Sequence, residues 1–438
     1  MTGLAALGLA LALFGPPRGA NEEGPHPAGP ETGHDLHAEP HTRVSFDESI
    51  GASAAAPIVV GLDEAVEDKR QRDQTIPRNN QNPQIQVMPG YRINAGDANG
   101  FELQTTVTQG WALEGYGKAR RAAATAETDA LAADARAQAL EQKFGAAYAW
   151  IQLKSAERRL ALAKTDLALA HELVGTLEAG LAAGVVTRLD VAEARAVAAE
   201  AEAVVVELGG EVHDLGLALA RETGTQTMSP LGTKGDYPDP PLPDEAELRQ
   251  RFAEVERLPA IQRRRLAARA ALAEAHEAKR SNGTVLNAGG SIQLESTGEV
   301  VLFGVLGTNI PVVDRNQRSR ASSHAQARQA DAEAEQLAVE LTATLGIAIH
   351  ELRHTRERVD LLRDQTLPAL DQLIAAREVA LELGEGTRAQ VLAAAHRRSV
   401  VARELAAAEA DHAWARVEVW LYLEALAEPA SDSGRGDR

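Results

Sequence analysis

The sequence feature that most constrains this fold is a repetition at a fixed distance. Residues 184–191 read GVVTRLDV and residues 384–391 read GEGTRAQV, so Gly184, Thr187, Arg188 and Val191 return 200 positions later as Gly384, Thr387, Arg388 and Val391. The same offset relates Asn82 to Asn282, Gln109 to Asn309, Glu114 to Asp314, Lys118 to Arg318, Arg120 to Arg320, and Glu157 and Arg158 to Glu357 and Arg358. A spacing kept through turns, extended runs and helical runs marks a duplicated structural unit rather than a repeated motif.

Each Gly/Thr element lies between two long apolar-periodic segments. It reads as the bend of a helical hairpin, the glycine allowing the turn and Thr187 or Thr387 capping the returning helix. Lys118–Glu178 has no proline and predicts one helix of about 90 Å at 1.5 Å per residue. Its Leu160, Ala163, Leu167, Ala170, Val174 and Leu177 step by three and four, the seam of a coiled coil. The return helix spans Arg188–Glu222. In the second copy the long helix runs from Asn316 to Leu383, kinked at Pro368, and returns over Arg388–Leu426.

Ahead of each long helix stand two strand candidates. In the first copy these are Gln84–Ile93 and Phe101–Gln109, in the second Thr284–Glu295 and Val300–Ile310. Phe101, Leu103, Thr105 and Val107 alternate with Glu102, Gln104, Thr106 and Thr108, and Leu286, Ala288, Gly290, Ile292 and Leu294 with Asn287, Gly289, Ser291 and Gln293. That period gives a ribbon with one apolar and one polar face. Each run has about the 9–11 residues of a tilted membrane-spanning strand. The copies open on helices at Leu62–Gln74 and Asp244–Arg280. Matching LDEAVEDK to PDEAELRQ puts Asp63 and Asp244 only 181 apart, which predicts a gap of 19 residues in the first copy between Ala65 and Asn82.

Composition narrows the function. Only 3% of residues are aromatic although 44% are hydrophobic, which suits thin, alanine-packed helices. A net charge of −18 disfavours a nucleic-acid partner. The absence of cysteine excludes disulfides, thiolate metal sites and a cysteine nucleophile. Residues 3–20 form an apolar core of signal-peptide length ending in small residues, without a preceding basic residue, so 1–20 is read as a signal peptide whose start codon stays open. No later run of about 18 apolar residues predicts a transmembrane helix. Residues 21–58 are read as a disordered leader carrying His26, His34, His37 and His41, which reads as a flexible tail before it reads as a metal trap. The first repeat is then 59–224, a proline-rich linker 225–243, the second repeat 244–427, and a polar tail 428–438.

This order of parts resembles the outer membrane efflux protein family, the TolC-like exit ducts of tripartite pumps, over about residues 59–427. The carriers are the repeated helix, hairpin, long helix, bend and return helix, the joint TNIPVVDRNQ, and the bends GVVTRLDVAEARA and GEGTRAQVLAAA. The resemblance implies a mainly α fold with a small β part. Three copies would close a 12-stranded barrel in the outer-membrane lipid of a Gram-negative bacterium, continued by an α-helical barrel through the periplasm. It implies a passive duct without cofactor, fed by an inner-membrane transporter through a periplasmic adaptor, the membrane fusion protein. By the family's pattern the adaptor meets the tip at Gly184, Thr187, Arg188, Gly384, Thr387 and Arg388, and Asp190, Glu378, Glu382 and Glu385 are candidates for a cation-attracting constriction. Tyr91, Phe101, Trp111 and Phe303 make a sparse interfacial girdle. Cargo is open, with heavy-metal ions favoured by the histidine leader.

Two other readings compete. His350, Glu351 and His354 in HELRH fit the HExxH pattern of zinc proteases, with Glu378 downstream as a third ligand. Against it, the other copy carries Trp150 and Lys154 there, the following TRERVDLLRDQ reads as a solvated helix, and no sheet adjoins it. A soluble periplasmic coiled-coil scaffold keeps the helices and treats the hairpins as caps.

Overall fold

The computed structural model describes residues 42–77, 81–93, 99–113, 115–310 and 313–427, all within one compact unit, Glu39–Arg438. The signal peptide, the leader up to residue 41 and the tail 428–438 lie outside the described residues. In the first half the elements are β1 (Thr42–Val44), α1 (Phe46–Ala54), α2 (Pro57–Asp73), β2 (Gln84–Arg92), β3 (Gly100–Ala112), α3 (Tyr116–Ala182) and α4 (Arg188–Glu222). The second half has β4 (Leu231–Thr233), α5 (Glu245–Phe252), α6 (Pro259–Ser281), β5 (Val285–Leu294), β6 (Val300–Asn309), α7 (Gln317–Leu361), α8 (Leu367–Glu382) and α9 (Arg388–Ala427). Pro57 and Pro259, Gln84 and Val285, Gly100 and Val300, Tyr116 and Gln317, and Arg188 and Arg388 open matching elements 200 to 202 positions apart. The duplication is therefore structural.

Two sequence expectations are corrected where the first copy begins. Residues 42–58 are not leader: they form β1, α1 and the start of α2. Ser45 caps α1 in a reciprocal box with Glu48, the serine Oγ accepting from the Glu48 amide at 3.2 Å and the Ser45 amide donating to Glu48 Oε2 at 2.7 Å. The predicted 19-residue gap is absent for the same reason. Phe46 opens α1 199 residues before Glu245 opens α5, so the first copy has its own pair of opening helices.

By length and composition the segment Phe46–Asp73 is apolar enough to cross a membrane, where the sequence predicts no such helix. Yet it is broken at Ala55 and Ala56, and Phe46, Ser49, Ser53, Val59 and Val66 are buried. Phe46 meets Trp150 of α3 edge to face at 5.7 Å. The linker carries β4, which pairs in parallel with β1 (Thr42 with Leu231, Val44 with Thr233). The Trp150 indole N–H donates to the Val44 carbonyl at 2.9 Å, tying this two-stranded patch to α3.

Alanine sets how closely the long helices approach. α3 packs on α4, α6 and α9, burying Ala133, Ala137, Ala147, Ala156, Ala163 and Ala170. Of the predicted seam, Ala163 and Ala170 are buried and Leu167 and Val174 pack against Ala198 and Ala201 of α4. Larger side chains are concentrated where four helices meet: Trp150, Ile151, Leu153, Leu219, Val417 and Leu421 in one cluster, Leu248, Leu258, Ile261, Leu345 and Val419 in the next. Proline punctuates the second copy. Asp244–Arg280 is two helices, because Leu258 before Pro259 is extended at ψ 138°. A five-residue π turn, Leu362–Thr366, precedes α8. Pro368 lacks an N–H for the regular ladder, and the wider turn absorbs the defect.

The four remaining strands form one antiparallel sheet in the order β2-β3-β5-β6. Leu103 faces Leu294, and Leu294 faces Val300. Gly289 sits where a Cβ would lie 1.9 Å from the Val107 carbonyl oxygen, so this crossing of β3 and β5 needs glycine.

Candidate functional site

Each bend is built alike. Gly184 (φ 76°) and Gly384 (φ 74°) take the left-handed conformation that ends a helix. The Val185 amide donates to the Gly180 carbonyl at 3.0 Å, and Glu385 to Ala380 at 2.9 Å. Thr187 then caps α4: its Oγ1 accepts from the Asp190 amide at 3.2 Å, while the Thr187 amide donates to Asp190 Oδ2 at 2.7 Å. Thr387 and Gln390 repeat the exchange at 3.3 Å each way, with a neutral amide in place of the carboxylate.

The arginines behave differently. Arg188 is exposed, whereas exposed Arg388 donates to Glu172 Oε1 at 2.7 Å. Glu172 lies on α3, twelve residues short of Gly184, so Arg388 ties the second bend to the long helix of the first hairpin. Of the acidic candidates, Glu378, Glu382 and Glu385 are exposed. Asp190 is engaged: hydrogen bonds from Thr187 hold its carboxyl below the usual range.

Sequence reasoning missed a buried clasp between the hairpins. Asp166 of α3, 1% exposed, accepts from Arg403 Nη1 at 2.7 Å and lies 2.6 Å from His396 Nδ1, both on α9. The three residues are 230 and 237 positions apart, and no local pattern links them.

The sheet separates two chemistries. In-register antiparallel neighbours point the same way, so Ile85, Val87, Tyr91, Phe101, Leu103, Val107, Ile292, Leu294, Val300, Leu302 and Leu306 share one face. Tyr91, Phe101, Ile292, Leu302 and Leu306 on it are exposed. The opposite face carries Gln104, whose Nε2 donates to Ser291 Oγ at 2.9 Å, and Thr106, 2.8 Å from the same oxygen. At one end of that face Arg92 bridges Glu102 at 2.5 Å and Glu295 at 3.5 Å. Of the girdle aromatics, Tyr91 and Phe101 pair across strands and Trp111 shares their face at the far end. Phe303 faces Ser291 and so lies on the polar side, against expectation. Among the described residues β2 and β6 each pair on one side only.

The HExxH residues lie on α7. The His350 and His354 rings are parallel, 6.0 Å apart, on an exposed face. Glu351 between them is exposed as well, and burial, with the Glu351 charge second, pushes the Glu418 carboxyl of α9 up to about 7. Glu378 is 24 residues beyond His354, about 36 Å of helical rise, out of reach as a third ligand. Among the described residues no group of three histidines, aspartates or glutamates gathers anywhere.

No family model matches the chain. It is 26% identical over 259 residues to the cobalt-zinc-cadmium resistance protein CzcC of Cupriavidus metallidurans, a match covering 59% of this chain and 60% of that one. Among solved structures it superposes on CusC with a TM-score of 0.69 at 16% identity, over 86% of this chain and 91% of that one. The Campylobacter jejuni CmeC outer membrane channel gives 0.67 at 14% over 92% and 94%. The Vibrio cholerae outer membrane protein VceC gives 0.62 at 18% over 87% and 95%.

Proposed function

We propose that this chain, which has the fold of the TolC-like outer-membrane efflux channels, is the outer-membrane duct of a tripartite export system. The observation that carries the proposal is the sheet. Its apolar face is exposed, its other face is polar, and its two outer strands lack partners on one side among the described residues. Unpaired backbone groups cannot lie in hydrocarbon, so such a sheet enters lipid only when closed by further copies. Three copies of four strands close a 12-stranded barrel with Gln104, Thr106 and Ser291 toward enclosed water. The helical hairpins continue the passage through the periplasm.

The bends at Gly184, Thr187, Arg188, Gly384, Thr387 and Arg388 would meet the periplasmic adaptor, with the inner-membrane transporter supplying energy. Glu378, Glu382 and Glu385 remain free to line a constriction. Asp190 serves chiefly as a cap. The duct performs no chemistry: Glu378 lies out of reach of the two histidines as a third ligand, and the chain is built like channel proteins. Divalent heavy-metal ions are the cargo class that the likeness to CzcC supports.

Fractionation of cells expressing the chain tests this reading. A heat-resistant trimer in outer-membrane detergent extracts is expected, together with restored cobalt, zinc and cadmium tolerance in a strain lacking its own duct. Release into the soluble periplasmic fraction would identify a scaffold instead.

A further inference from the structure

The duct assignment leaves the HELRH segment unused. Beyond the leader, His350 and His354 are the one pair of histidines four residues apart in the chain. That spacing puts two imidazoles side by side on one helix face. The opposite face of α7, with Leu345, Ile349, Thr355 and Val359, is buried. The histidines lie on the bare side with exposed Ile347 and Leu361. Where the first copy carries Trp150, β1 covers it through Val44; at the matching place His350 is exposed.

We propose that His350 and His354 form a two-point chelate for a divalent transition-metal ion of the copper, nickel or zinc type. The rings are parallel and their centroids 6.0 Å apart. A metal–nitrogen bond of about 2.0–2.1 Å places a ring centroid roughly 3 Å from the ion, so one ion fits between them after side-chain rotation alone. Imidazole suits these metals, and copper binds tightest along the first-row series. With no third protein ligand gathered there among the described residues, water fills the remaining positions and the ion exchanges freely. That separates the site from a protease centre, which needs three protein ligands and a glutamate facing the bound water. The proposal stands whether or not the chain is a duct.

The test is copper(II) titration of the full-length chain in detergent, with His26, His34, His37 and His41 changed to alanine to silence the leader. One Cu²⁺ per chain is expected, with a paramagnetic resonance spectrum of two nitrogen ligands. H350A or H354A should weaken binding at least tenfold and leave at most one nitrogen, with helix content by circular dichroism unchanged. Absence of stoichiometric Cu²⁺ in the leader-silenced chain, or undiminished two-nitrogen binding in H350A/H354A, would overturn the proposal.

Discussion

At the scale of single residues, Thr187 and Glu418 illustrate opposite uses of polarity. Thr187 closes the exposed start of α4, where a lost cap costs about 1 kcal/mol. Thr187→Ala should therefore leave the global fold intact and raise amide hydrogen exchange across the first turn of α4, which mass spectrometry reads directly. Burial, with the nearby Glu351 charge adding to it, raises the pKa of Glu418 on α9 from 4.5 to about 7. A carboxyl with a raised folded pKa stays protonated when the unfolded chain has already ionised. Its contribution is intact below about pH 4.5 and is lost as pH rises through 7, by about 3 kcal/mol in all. Glu418→Gln should match the parent protein at pH 4.5 and exceed it in thermal stability at pH 8. Equal pH dependence of both would refute the assignment.

At the scale of elements, Asp166 joins α3 to α9 through His396 and Arg403. Removing a buried carboxylate leaves Arg403 uncompensated, so Asp166→Ala should lose about 3–5 kcal/mol in denaturant unfolding. The two sheet faces make a paired prediction. An arginine on the lipid side of a membrane sheet costs about 2–4 kcal/mol at the midplane. Leu302→Arg should sharply reduce heat-resistant assembly, and Gln86→Arg on the opposite face should not. Equal tolerance would remove the lipid-facing assignment.

These contrasts also show which elements the sequence made readable. Alternation in Phe101–Val107 and Leu286–Leu294 announced strands because period two is local. The helices α4 and α9 began at Arg188 and Arg388 as expected, because Gly184, Thr187 and their counterparts signal both stop and start. α1 was hidden by its proline- and histidine-rich surroundings, although Ser45 and Glu48 spell a capping box. β1 and β4, three residues each, are too short for any period to register. The clasp at Asp166 and the Arg388–Glu172 bridge join residues more than 200 apart, which only folding brings together.

At the scale of the whole molecule, a duplicated unit supplies two strand pairs and two helical hairpins, and the outer strands β2 and β6 each pair on one side only among the described residues, the edges that the proposed assembly of three copies would close. The most direct measurement is electron microscopy of the detergent-solubilised particle. The account predicts three chains around a three-fold axis, enclosing a continuous lumen from the sheet to the helical tips. A compact single chain without a lumen would contradict it.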